Sequence, residues 1–375
     1  MTADRHRVPS HPGTTQGDDR SVTPDPCPAS GRREVGDSPD DFDEKAGRPA
    51  AARSGLRARL VADIGGTSAR FALLDDAGLP AQVRVLAVAD HPGPAEAIDA
   101  YLAAIDAPGD LGEAAIALAC PVHQPVVRLT NGDWEFSRES LQARLGLQRL
   151  LLLNDFSALA LSLPHLGAAD LHQVGSGTAV HRAPKAVLGP GTGLGVSAIV
   201  FDRGRWLALA GEGGHCSLAP ADQREAAILG LAWRELSHVS AERLLSGSGL
   251  PLLNRLVGAV DGRRAEDLTP AAIVARAVSG DDVQCRAVVE TFCAMLGSLA
   301  GNLALTIGAR GGVYVGGGII PRLGELFERS AFRARFEAKG RFATYLAAIP
   351  TFVMLAPTPA LLGAAHALTG GEDCP

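Results

Sequence analysis

The feature that most constrains this chain is a pattern that occurs twice. Residues 59–78, RLVADIGGTSARFALLDDAG, and residues 185–206, KAVLGPGTGLGVSAIVFDRGRW, each read as apolar strand, glycine-rich turn, apolar strand and a second turn. The copies lie about one domain length apart, which suggests two related α/β domains facing a cleft. Further strands are expected within 84–89, 113–122, 148–154 and 311–316, and helices over 95–105, 137–146, 157–166 and 358–368. Ser137 is the expected N-cap of the second helix, and Pro164 stops the third. Helices dominate from Gln223 to Leu305, with breaks near 247–251 and 261–270. Strands alternating with helices argue for mixed α/β sheets. Apolar strands without alternation argue for sheets covered on both faces. The expected division is a disordered tail over 1–55, a small α/β domain of 56–165 plus 356–375, and a large α/β domain of 166–355.

Composition narrows the function classes. The net charge is −6 and no Lys/Arg block is dense, so no nucleic-acid partner is expected. Six scattered cysteines form no C-x-x-C pair, which supports neither a zinc site nor a redox motif and suits a reducing cytoplasm. No signal peptide and no apolar run of ~18 residues is seen, so no membrane association is expected. Residues 1–55 hold seven prolines and almost no large apolar side chains; such a segment cannot bury enough surface to offset its ordering entropy.

Three glycine-rich strand ends are candidate phosphate seats. Asp63-Ile64-Gly65-Gly66-Thr67 sits between two apolar strands, where glycine lets backbone N–H groups approach an anion and Thr67 adds a hydroxyl. Asp63 suits Mg²⁺ held through water, and Arg70 adds a positive charge. A plain hairpin turn explains this motif equally well. In Gly189-Pro190-Gly191-Thr192-Gly193-Leu194-Gly195, four glycines in seven residues exceed the needs of a hairpin. No Gly-Lys-Ser/Thr follows, so it is not a Walker A loop; a strand follows where a dinucleotide fingerprint needs a helix. Gly316-Gly317-Gly318 is the third.

Polar residues at strand ends are candidates for the acceptor side. Asn154 and Asp155 follow the strand LLLL, and ligands of open α/β sheets bind beyond such ends. Either residue also serves as a helix N-cap. Glu212 and His215 lie three apart on a glycine loop, suited to vicinal hydroxyls or simply a surface pair. A second E-x-x-H, Glu235 and His238, reads as helical; metal ligation is set aside because a di-iron bundle needs both pairs on helices. Glu242 falls in the first turn of a helix opening at Ser240, where the helix dipole alone explains a carboxylate.

D-I-G-G-T, L-L-N-D-F, G-P-G-T-G-L-G, G-E-G-G-H, V-S-A-E-R-x-L-S-G-x-G-L and Y-V-G-G-G-I follow in one order. From about Arg59 to about Leu368 this resembles the bacterial ATP-dependent glucokinase family, within the sugar kinase, actin and Hsp70-like superfamily. The resemblance implies two ribonuclease-H-like (actin-like ATPase) domains with mixed sheets flanking a cleft. It implies Asp155 as the base for the 6-hydroxyl of glucose, and Asn154, Glu212, His215 and Glu242 as partners of the other hydroxyls. Asp63, Ile64, Gly65, Gly66 and Thr67, with Thr192, Gly193, Gly316, Gly317 and Gly318, match the ATP cradle. ATP and Mg²⁺ are the implied cofactors, and family members are usually cytoplasmic homodimers. Where some members carry His after the residue matching Asn131, this chain has Gly132, Asp133 and Trp134. The cysteine-rich zinc motif of the related repressor–kinase group is missing. Other readings are a kinase for mannose, fructose or an N-acetyl amino sugar, or a sugar sensor without catalysis. An Hsp70-like ATPase would need a peptide-binding domain, for which no residues remain.

Overall fold

The computed structural model describes residues 57–107, 110–130 and 132–370. The expected tail, Cys27, Asn131 and Cys374 lie outside the described residues.

The first repeat folds as a hairpin, β1 (Ala58–Ile64) against β2 (Ser68–Leu74). β3 (Pro80–Ala87) pairs with β2 antiparallel, while β4 (Leu111–Leu118) runs parallel to β1. A short ribbon, β5 (Val126–Arg128) with β6 (Glu135–Ser137), precedes β7 (Arg149–Asn154), which lies parallel to β4. The sheet order is β3-β2-β1-β4-β7.

The second repeat does the same. After β8 (Leu171–Val174), the hairpin β9 (Lys185–Pro190) and β10 (Leu194–Asp202) is extended by β11 (Arg205–Leu209). β12 (Val313–Val315) and β13 (Thr351–Met354) continue from β9 in parallel. The order is β11-β10-β9-β12-β13-β8. Leaving out β8, both sheets thus share one strand order, with an antiparallel meander of two further strands on one side of the first strand and two parallel strands on the other.

Both faces of the first sheet are covered, as the unbroken apolar runs require. Leu60, Ala62 and Ile64 of β1 pack in one core with Ile98 and Tyr101 of helix α1 (Pro94–Ala104) and Leu141 of α2 (Arg138–Arg144). Val61, on the opposite face by the period of two, packs with Ala158 of α3 (Asp155–Ser162) and with Leu361 and Ala364 of the C-terminal helix Pro359–Thr369. α3 has a second duty. Its Ala160, and Leu163 just beyond it, pack on Val187 and Ile199 of the second sheet. This one helix is therefore shared between the sheets.

The other face of the second sheet carries the helical region: α4 (Gln223–Ala232), α5 (Ala241–Leu244), α6 (Leu250–Val260), α7 (Pro270–Ser279) and α8 (Val283–Ile307). Among the described residues α8 is the one helix long and apolar enough to cross a membrane, with 25 residues and a mean hydropathy of 1.5. Cys285, Phe292, Leu296 and Ala300 of α8 form the centre of the second core.

Several expectations need correcting. α3 begins at Asp155, two residues earlier than the apolar spacing implies, because Asn154 supplies the cap. Pro251 is no break; it sits in the first turn of α6, where its missing N–H costs nothing. Glu235 and His238 are not helical, since α4 ends at Ala232. Glu235 instead pairs with Arg255 through two bonds of 2.6 and 2.7 Å, and His238 lies 3.0 Å from the Ser217 hydroxyl.

Candidate active site

β1, β4 and β7 are parallel and in step, so Ile64, Leu118 and Asn154 end level at one edge of the first sheet. The chain then turns into α3. Asn154 Oδ1 accepts from the N–H groups of Phe156 (3.0 Å) and Ser157 (3.3 Å), while its Nδ2 donor takes no part in the cap. Both readings of Asn154 are thereby open to one side chain. Asp155 is the first helical residue, and its Oδ1 also accepts from Phe156 N–H, at 2.9 Å. Burial pushes the Asp155 carboxyl up to about 6; the Phe156 N–H opposes this, and the negative charges of Asp63 and Glu212 add to it. Three carboxylates thus converge within electrostatic reach, drawn from β1, α3 and the loop after β11.

Asp63 faces Arg70 across the β1–β2 hairpin and accepts from its guanidinium at 3.2 Å through Oδ2. Arg70 therefore offsets part of the Asp63 charge. Burial raises the Asp63 carboxyl and Arg70 opposes it. Ile64 is a core side chain that offers the site backbone alone, and its carbonyl already accepts from Ala119 N–H at 3.1 Å. Gly65 N–H bonds Ser68 O at 3.0 Å, closing the turn, while Thr67 is exposed.

Glu212, His215 and Glu242 come together, although the loop and the helix that carry them are distant in sequence. His215 Nε2 lies 3.9 Å from Glu212, and its Nδ1 lies 3.9 Å from Glu242 Oε1. At that spacing the imidazole bonds neither carboxylate directly. Glu212 and His215 are exposed and Glu242 is partly buried. Glu242 does more than balance a helix dipole: its Oε2 accepts from Leu194 N–H at 2.8 Å, tying α5 to the second glycine turn.

That turn is built from backbone. Gly247 N–H bonds Gly191 O at 2.8 Å, Ser248 N–H bonds Thr192 O at 3.2 Å, and the Ser248 hydroxyl bonds the same oxygen at 3.0 Å. Thr192 itself is exposed, beside Gly193. The third turn closes on the second, with Gly316 N–H bonding Leu188 O at 2.9 Å. Of the glycines in the three turns only Gly317 has a left-handed φ, 81°, and a β-carbon there would collide with the Pro190 carbonyl. Gly317 and Gly318 are exposed.

Some contributors escaped the sequence reading. Ser246–Gly249 belongs to a motif in which only Glu242 had a role, yet it clamps the second turn. Cys120 follows β4 beside Asp155; burial and then that negative charge push its thiol up to about 11. A cavity of about 550 Å³ opens beside the third turn, lined by Leu250, Val274, Val278, Ile319 and Arg322. Its signal was available: α7 is apolar at Ile273 and Ala277, which it buries, and also at Val278, which is 48% exposed. Trp134, two residues after Gly132, is a core residue whose indole donates to His91 O at 2.8 Å. Among the described residues no group of three or more His, Cys, Asp or Glu could hold a metal by itself.

The model of one protein family, Glucokinase, matches residues 60–370. The chain belongs to the glucokinase family. The glucokinase of Chromobacterium violaceum is 53% identical over 309 residues, covering 82% of this chain and 88% of the relative. That of Ralstonia nicotianae is 49% identical over 331 residues, covering 84% and 97%. Among solved structures, the glucokinase of an Antarctic psychrotroph superposes with a TM-score of 0.77 at 35% identity, covering 84% of this chain and all of that one. A ROK family glucokinase from Streptomyces griseus, solved with glucose and AMPPNP, shares the fold at 21% identity and a TM-score of 0.56. Two α/β sheets of like strand order are thus the sugar-kinase and actin-like architecture, and the chain is an ATP-dependent sugar kinase by family.

Proposed function

We propose that this chain moves the terminal phosphoryl group of ATP onto the 6-hydroxyl of glucose, with Asp155 as the base. The observation that carries this reading is the Asp155 carboxyl itself, at the N-terminus of α3 between the two hairpins, with a pKa near 6. A carboxylate of that basicity is ionised at neutral pH and better able to take a proton than an ordinary Asp. Phosphoryl transfer needs positioning and charge stabilisation above all, so Asp155 orients the hydroxyl and takes its proton late. Asn154, through its free Nδ2, and Glu212, His215 and Glu242 would hold the remaining hydroxyls. The first turn, Asp63–Thr67, and the second, at Thr192 and Gly193, offer backbone N–H groups to the phosphates, together with Gly316–Gly318. The cavity beside the third turn has the size and apolar lining for the nucleotide base.

The donor set at Asp63 fits Mg²⁺, which binds through one or two carboxylates while keeping waters and phosphate oxygens. Its Oδ1 is outside the Arg70 pair. Mg²⁺ there would neutralise charge on the phosphates. Two domains, 56–165 with 356–375 and 166–355, would close on the substrates and exclude water. The four described cysteines are free thiols, which suits a cytoplasmic enzyme; the assembly by family habit is a homodimer, to be read from light scattering.

A coupled assay with glucose and ATP tests the reading. Asp155→Ala should lower kcat by about 10³-fold or more while glucose still binds; near-normal turnover by that variant removes Asp155 from the role. Mannose, fructose and N-acetylglucosamine in the same assay test the choice of acceptor, and glucose should give the highest kcat/KM.

A further inference from the structure

Phe156 follows Asp155, and its ring lies on the second sheet, not the first. It rests against two glycines, Gly189 of β9 and Gly195 of β10, which are register partners across the hairpin. A β-carbon on Gly195 would collide with the ring, and one on Gly189 would stand 2.8 Å from its Cζ. Neither glycine has a left-handed φ, so space and not backbone conformation requires them. The pair forms a notch at the base of the Gly191–Gly193 turn, filled by the ring of the residue next to the base.

We propose that Phe156 is a positioning residue that sets the distance between the Asp155 carboxylate and the phosphate-side turn. The inference rests on the reading of Asp155 as base. A flat ring with two torsions seated against bare backbone is a stiff spacer. Displacements of about 1 Å between reacting groups cost on the order of 10²-fold in rate. Phe156 N–H also bonds Asp155 Oδ1 and Asn154 Oδ1, so a shift of the ring is passed directly to both side chains.

The test is a double-mutant cycle read as kcat and KM separately. Phe156→Ala and Gly195→Ala should each lower kcat by about 10- to 100-fold, with the glucose KM within about threefold of the parent. The double variant, in which no ring atom is left to meet the new methyl group, should recover part of the Gly195→Ala loss. A merely structural contact would lower Tm and leave kcat per folded molecule unchanged. Single variants with kcat within twofold of the parent overturn the proposal, as does a double variant whose loss is the product of the single losses. Turnover by Asp155→Asn is a separate result: it removes the base reading itself, and with it what Phe156 is said to position.

Discussion

A carboxyl group with a pKa near 6 affects both rate and stability. The free-enzyme kcat/KM for glucose should rise with pH through a midpoint near 6, because only ionised Asp155 accepts the proton. A flat profile between pH 5 and 8 would show that another group governs the step. The stability effect has the opposite sense. Asp155 binds its proton more tightly folded than unfolded, where an Asp titrates near 3.8. Folding stability is therefore lost as pH rises through about 6. Asp155→Asn should raise Tm at pH 8, by a free energy on the order of 2–3 kcal/mol, and leave it unchanged at pH 3. Glu242 offers a second contrast. Its Oε2 holds Leu194 N–H and its Oε1 faces His215. Gln keeps an acceptor for Leu194, so Glu242→Gln should raise the glucose KM alone. Glu242→Ala should raise the KM of both glucose and ATP, as the second turn loses its anchor. Equal ATP KM values for the two variants would break that link.

At the scale of the element, the turns are where local chemistry and long-range contact meet. Gly317 combines a left-handed φ with close approach to Pro190 O. Gly317→Ala should weaken ATP binding about tenfold or more and lower Tm; an unaltered ATP KM would count against the third turn as part of the cradle. Much at this scale was legible. Both hairpins, the apolar β4 and β7, the Ser137 cap with its 3.0 Å bond from Ser140 N–H, and the C-terminal helix follow from period and turn chemistry. What was not legible was contact between distant segments. Glu242 and Leu194 are 48 residues apart, and Phe156 and Gly195 also meet only through the fold. Nothing in the local periodicity of either partner encodes the other. Glu235 likewise meets Arg255, and His238 meets Ser217, only through the fold.

For the whole molecule, the two repeats became two sheets with a common strand order, so the spacing of the repeated pattern was a sound guide to architecture. The sequence did not show what joins them. α3 lends Ala158 to one core and Ala160 to another, and its first residue is the candidate base. An eight-residue rod gripped from both sides cannot melt for one neighbour and persist for the other. Calorimetry of the full chain should accordingly register a single endotherm in which the two halves unfold together, whereas two resolved peaks would mean that each half survives without its shared rod. A protein so joined keeps its reactive end and its mechanical axle in one piece, and damage to either disables both.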